Sequence, residues 1–257
     1  MISNLIMKPK LISAIILGSL FFQPLATPLV TWALPETEVV KKLENVPTFT
    51  IVDREGNPVP IKLSSSNSRA NNSPSVALVF INPKDAIDTL QSLTQKKPEL
   101  KNNFSVFPVS LSQVYEIMEE ARQNRAKKPP LEIVPILSEV RSARALMTAS
   151  DAKPENSEQV SVPLFYAAVG EKEDYLIRQD VNNNSYIPFY WTKKEVEEDI
   201  EAYKKGVSAA QSQPIKIKTI SLGQFIQTLL KTDNEATKVM QIVPSTEQID
   251  TANRLLQ

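Results

Sequence analysis

Apolar residues along this chain follow two rhythms. Short runs at residues 48–52, 76–81, 104–109, 131–136, 214–220 and 237–243 have the length and the β-branched or aromatic content of strands. Between them, apolar positions recur every three or four residues: Ala86, Leu90 and Leu93; Val114, Tyr115 and Met118; Val196, Ile200 and Tyr203; Phe225, Ile226 and Leu229. That spacing places a stripe on one face of a helix. The two rhythms together predict an α/β fold, a mixed sheet with helices packed on it. The turn Asp53-Arg54-Glu55-Gly56-Asn57-Pro58 predicts a hairpin in which 59–63 pairs with 48–52.

Polar residues sharpen the helix starts. Ser110 with Gln113, Thr192 with Glu195, Ser221 with Gln224 and Ser245 with Gln248 all have the spacing of a capping box. In that box the hydroxyl accepts from a free helix amide and the longer side chain reaches back to the cap amide.

The pattern occurs twice. Val46-Pro47-Thr48-Phe49 returns as Val162-Pro163-Leu164-Phe165, Ser110-Leu111-Ser112-Gln113 as Ser221-Leu222-Gly223-Gln224, and Ile133-Val134-Pro135 as Ile242-Val243-Pro244. The order is kept, and the helical stripes match in register at offsets of 110 and 111 residues. This predicts an internal duplication, with repeats at 34–148 and 161–257 joined by a polar connecting segment at 149–160, arranged as a pseudo-twofold, two-lobed unit. The run at 64–75, nearly all Ser, Asn, Arg, Ala and Pro, reads as a loop and accounts for the drift in register.

Residues 1–33 differ from the rest. Lys8 and Lys10 precede an apolar run from Leu11 to Phe22, and Thr31-Trp32-Ala33 supplies a small-x-Ala exit. This is the layout of a secretory signal, and the run is short for a membrane span. An exported chain with no cysteine has no disulfides, so its stability must come from apolar burial. The periplasm fits, with the thylakoid lumen as the alternative. Lys+Arg and Asp+Glu balance at 29 each, and loss of Lys8 and Lys10 leaves a net charge of −2. Such a surface gives nucleic acid no electrostatic footprint.

Composition narrows the chemistry. There is no histidine, no cysteine, and no Gly-rich phosphate loop among only five glycines. Histidine-based acid–base catalysis, thiol chemistry, the usual transition-metal sites and nucleotide dependence therefore lose their residues, and no cofactor is expected. A carboxylate-dependent hydrolase remains as an alternative. The cluster Glu195, Glu197, Glu198, Asp199 and Glu201 surrounds an apolar helical stripe and reads as a solvated face. The aromatics are the more pointed signal. Phe49, Phe80, Phe165, Tyr166, Phe189, Tyr190 and Trp191 lie on predicted strands, where one face packs the core and the other must be covered. They are the candidate lining of a groove for apolar client segments.

Val-Pro-x-Phe at Val46, Pro-Val-Ser-Leu-Ser-x-Val-Tyr at Pro108 to Tyr115, Val162-Pro163-Leu164-Phe165-Tyr166, Ile187-Pro188-Phe189-Tyr190 and Val243-Pro244-Ser245 resemble, in order and spacing, the Tic-twenty-two family. The family comprises a chloroplast intermembrane-space import component and its cyanobacterial relatives, and the similarity spans nearly all of the chain after the signal. The resemblance implies a pseudo-twofold α/β protein without catalytic residues. It also implies a protein that holds other polypeptides in transit and is linked to outer-membrane biogenesis and the β-barrel assembly machinery. The expected function is a periplasmic chaperone or transport factor for unfolded or translocating proteins, with no membrane span after cleavage. An adaptor of the assembly machinery that ignores unfolded clients is the other alternative.

Overall fold

The computed structural model describes residues 34–62, 75–124, 130–149, 161–206, 213–232 and 234–257. The stretches read from sequence as a signal, a loop and a connecting segment fall at 1–33, 63–74 and 150–160, outside the described residues. Among those described, no helix is long and apolar enough to cross a membrane.

Helix α1 (Glu36–Glu44) opens the structure, with Glu36 and Glu38 in its first turn and Lys41 and Lys42 in its last. These charges complement the helix dipole. The chain then forms β1 (Pro47–Val52), β2 (Pro60–Lys62), β3 (Ser75–Phe80), α2 (Pro83–Lys96), β4 (Ser105–Ser110), α3 (Leu111–Asn124), β5 (Leu131–Val134) and α4 (Leu137–Ala149). The strands form one mixed sheet, β2-β3-β1-β4, with β5 parallel to β3. Strand β1 is central and buried on both faces. Its two threonines survive burial because Thr48 Oγ1 donates to Val109 O at 2.9 Å and Thr50 Oγ1 to Leu78 O at 2.8 Å.

The second half runs β6 (Pro163–Val169), β7 (Asp174–Tyr175), β8 (Arg178–Gln179), β9 (Ser185–Phe189), α5 (Lys193–Gly206), β10 (Ile215–Ser221), α6 (Leu222–Lys231), α7 (Glu235–Val239), β11 (Met240–Ile242) and α8 (Thr246–Leu255). Here β10-β6-β7 and β11-β9-β8 meet through the Phe165–Tyr190 pair, whose amides and carbonyls exchange two bonds of 2.9 Å. Several pairings recur between the halves. Phe49 faces Phe80 as Phe165 faces Tyr190, Pro47 faces Ser110 as Pro163 faces Ser221, and β5 lies parallel to β3 as β11 does to β9.

The final helix of each half leaves its own sheet. α4 packs on β6 and β10, where Ala143 joins Phe165, Tyr190 and Val196 in one core. α8 packs on β1, β4 and α2, where Ala252 and Leu255 cover Phe49, Ile51 and Phe80. A third core, with α1 at its centre, draws on both halves: Val39 and Leu43 pack with Val79, Ile81, Leu111, Phe189, Leu222 and Phe225.

The boxes at Ser221/Gln224 and Ser245/Gln248 are closed, and Ser110 and Gln113 exchange the same two bonds at 3.2 Å. Two expectations change. Residues 60–62 pair with β3 rather than β1, and the hairpin is confined to a Val52–Pro58 bridge, with Asp53 N–H bonded to Asn57 O at 2.9 Å and Val59 N–H to Ile51 O at 2.8 Å. Pro58 and Pro60 carry no amide hydrogen and cannot donate to such a ladder. Residues 237–239 are helical, because Asn234 and Thr237 cap α7 reciprocally, so the strand starts only at Met240.

Two loops share one construction. Asp53 Oδ1 accepts from Glu55 N and Asn57 N, and Asp180 Oδ1 from Asn182 N and Asn184 N, at 2.8–3.0 Å. The fourth residue of each loop is left-handed, Gly56 at φ +82° and Asn183 at +63°. Glycine and asparagine are the residues that tolerate this region. Hydrogen bonds hold both aspartates below the usual carboxylate range, led by the Asn57 backbone N–H at Asp53 and by the Asn184 side-chain amide, 3.0 Å from Oδ2, at Asp180.

Gln248 ties the halves together. It is 3% exposed, its Oε1 closes the α8 cap on Ser245 N, and its Nε2 donates to Ile81 O at 2.9 Å and Pro47 O at 3.3 Å. Gln248→Ala removes one arm of the box, since Ser245 Oγ still accepts from the backbone N–H at position 248, and takes the side-chain donor from the Ile81 and Pro47 carbonyls, so a loss of about 1–3 kcal/mol is expected. Urea unfolding checks it: the midpoint should fall with the slope unchanged.

Candidate functional site

The seven aromatics proposed from sequence do not form an open groove. Phe49, Phe80, Phe165, Phe189 and Trp191 are at most 3% exposed and Tyr190 is 9% exposed. Tyr166 is half-buried, its ring 5.2 Å from that of Tyr175 and 5.1 Å from that of Phe189. The physical reason is the helix exchange. α8 covers Phe49 and Phe80, α4 and α5 cover Phe165 and Tyr190, and the shared core takes Phe189 and Trp191. In this structure the candidate surface lies elsewhere.

A cleft of about 580 Å³ opens between α3, α6 and β5. Its floor is Leu111, Val162 and Leu222, all buried, and its walls carry Tyr115, Met118, Leu131, Ile133, Ile226 and Leu230. Met118 is 39% exposed, so apolar surface faces water here. The helices reach this arrangement by carrying more apolar residues than the core uses. In α6, Leu222, Phe225 and Leu229 are buried, while Ile226 and Leu230 form a second, flanking row. In α3, Leu111 and Val114 are buried and Tyr115 and Met118 flank them. A stripe wider than packing requires was the available signal, but the spacing alone assigned the whole stripe to the core.

The rim is polar and mainly acidic. Glu36, Glu119 and Glu132 line it against Arg122, whose Nη2 is 2.7 Å from Glu119 Oε2. Tyr115 Oη donates to Glu36 Oε1 at 3.2 Å. Burial first, then the Glu36 charge, pushes the Tyr115 hydroxyl up to about 12, so it stays protonated as a donor.

A second cleft, of about 610 Å³, lies where the N-termini of α2, α4, α5 and α8 converge, and it holds Glu139, Glu195, Glu198, Asp199 and Glu247. Much of this carboxylate is in structural use. Glu195 Oε2 accepts from Thr192 N at 3.0 Å and Thr192 Oγ1 at 2.7 Å, and Glu139 Oε2 accepts from Lys193 N at 3.0 Å. Asp199 Oδ1 sits 3.1 Å from Arg178 Nε, and Arg178 also lies over the Tyr203 ring at 5.7 Å. Among the described residues no group of three or more acidic side chains is placed to hold a metal ion.

Burial pushes Asp199 and Glu195 above their ordinary range, opposed by Arg178 and by the Thr192 bonds respectively. A raised carboxylate binds protons more tightly folded than unfolded. Its contribution therefore falls as pH rises from the ordinary value through the folded one, and returns on acidification. Asp199→Asn should flatten that slope: unfolding free energy measured in urea between about pH 4 and 7 should fall less steeply than in the parent. An unchanged slope would remove Asp199 as its source.

A profile of the Tic22-like family matches residues 21–254. Among solved structures, Tic22 from Plasmodium falciparum is 21% identical with a TM-score of 0.65, covering 85% of this chain and 97% of that one. Anabaena Tic22, a protein-transport protein, is 18% identical with a TM-score of 0.70, covering 86% of this chain and 98% of that one. At these identities the two structures establish a shared fold. No curated protein matches. With the family profile spanning most of its length, the chain belongs to the Tic22-like family.

Proposed function

We propose that this protein is an exported protein-transport factor and chaperone that holds extended, partly apolar segments of client polypeptides in the cleft between α3 and α6. The observation that carries the reading is that cleft: a floor of leucine and valine, walls of half-exposed apolar side chains between two helices fixed by capping boxes, and an acidic rim from α1, α3 and β5. The family and the transport role of the Anabaena relative support it. Its compartment is the periplasm, with the thylakoid lumen or a plastid intermembrane space as the alternatives, and its clients include proteins bound for the outer membrane. We further propose that the paired registers of the two halves descend from one duplicated unit.

Binding of this kind is weak by construction. Burying on the order of 200 Å² of client apolar surface yields about 5 kcal/mol, and ordering the segment takes back much of it. The result is exchange without a nucleotide cycle, in keeping with a chain that has no phosphate-binding loop.

Residues 34–257 at several-fold excess should suppress aggregation of an unfolded outer-membrane protein, followed by light scattering. Met118→Glu combined with Ile226→Glu places two charges in the cleft, each costing about 1–3 kcal/mol on desolvation by a client, and should abolish suppression while circular dichroism stays unchanged. Full activity in the folded double variant would sink the cleft as the site.

A further inference from the structure

Leu131, Glu132 and Ile133 all line the cleft. Successive side chains of a strand leave opposite faces, so three consecutive residues reach one cavity only when the strand turns its edge toward it. The hydrogen-bond phase of β5 says which groups that edge presents. Ala77 N–H donates to Pro130 O at 2.9 Å and Ile81 N–H to Val134 O at 3.4 Å, in the parallel register Ala77–Leu131 to Phe80–Val134. Pro130, Glu132 and Val134 therefore point their backbone groups at β3, and Leu131 and Ile133 point theirs away from it. Among the described residues, the outward N–H and C=O of Leu131 and Ile133 have no partner.

Other long strands guard their edges. On β4, Pro108 occupies an outward position and has no amide hydrogen. On β10, Lys216 and Lys218 line the strand and are held by Glu173 at 2.9 and 2.6 Å. The β11 edge, the counterpart of β5 in the pairing pattern, is closed by α1: Lys42 Nζ donates to Met240 O at 3.0 Å and Lys238 O at 2.6 Å.

We propose that the outer edge of β5 takes up one extended client segment as an added strand, apolar at alternate residues and basic at the others. This rests on the cleft being the client site and specifies how the backbone is held there. Four unpaired backbone groups set an extended conformation. Alternate side chains then enter the apolar cleft, and the intervening ones meet the rim. That rim selects cations: among the described residues Glu132 is exposed and makes no ion pair, and Glu36 lies nearby, while Arg122 is already spent on Glu119.

The test uses a fluorescein-labelled alternating Val-Lys octapeptide and residues 34–257, read by anisotropy. Two isomers carry N-methyl groups, one on the valine amides and one on the lysine amides. An added strand turns alternate amides toward β5, so one isomer should bind about tenfold more weakly and the other should match the parent. Isomers within about threefold of each other, strong or weak, would overturn the proposal. Ile133→Pro removes an outward amide without touching the β3 ladder and should weaken the unmodified peptide by a similar factor. A Val-Glu peptide should bind more weakly than Val-Lys, and the reverse order would overturn the charge preference. If Met118→Glu with Ile226→Glu abolishes binding while the methylated isomers tie, the edge fails and the cleft stands. If neither change matters, both readings fail.

Discussion

The exchange of terminal helices between the two sheets is the constraint on which the other features depend. Each sheet has a central strand, β1 or β6, buried on both faces, and a strand in that position needs a helix layer it cannot draw wholly from its own half. α8 supplies it to the first sheet and α4 to the second. Once those helices have crossed, the aromatic strand residues are sealed in, the shared core around α1 closes, and α3 and α6 are left with apolar rows that no other described element fully covers. The cleft is thus a by-product of where the helices went.

Much of the local structure was legible in the sequence. The capping boxes at Ser110, Ser221 and Ser245 mark their helices because a hydroxyl and an amide three residues apart have few other productive arrangements at a helix start. Strand identity followed from apolar runs where these are continuous, as at 76–81, which supplies nearly all of β3. What could not be read was which helix covers which face. Val134 and Phe165 announce burial, but nothing in their spacing says that α4 crosses from one half to the other. The burial of the aromatics was hidden for the same reason: an apolar run marks two faces that must be covered, but it does not say whether the protein's own helices or a partner cover the second. α1 was missed because its stripe is only Val39 and Leu43 in a highly charged helix. The start of 237–243 was misread because Asn234 and Thr237 form a box outside the Ser/Thr-to-Glu/Gln pattern.

The acidic cleft shows how composition misleads about chemistry. Glu139, Glu195 and Asp199 have environments that raise or engage carboxylates, as an active site would, yet their partners are backbone amides, a threonine and an arginine. Glu139 and Glu195 serve the N-terminus of α5, and Asn82 and the Ser245–Gln248 box serve those of α2 and α8.

The position of α8 also bears on when the protein can fold. The core around Phe49 and Phe80 forms from strands near the start of the chain, but the helix that closes it is made of the last residues. A chain crossing a membrane N-terminus first therefore emerges with its leading sheet uncovered, and that sheet stays open until the final turn has followed. Pairing across some 200 residues of sequence is slow, because loop closure must precede its reward. The same architecture that interlocks the two halves keeps the protein from locking before its last helix is available.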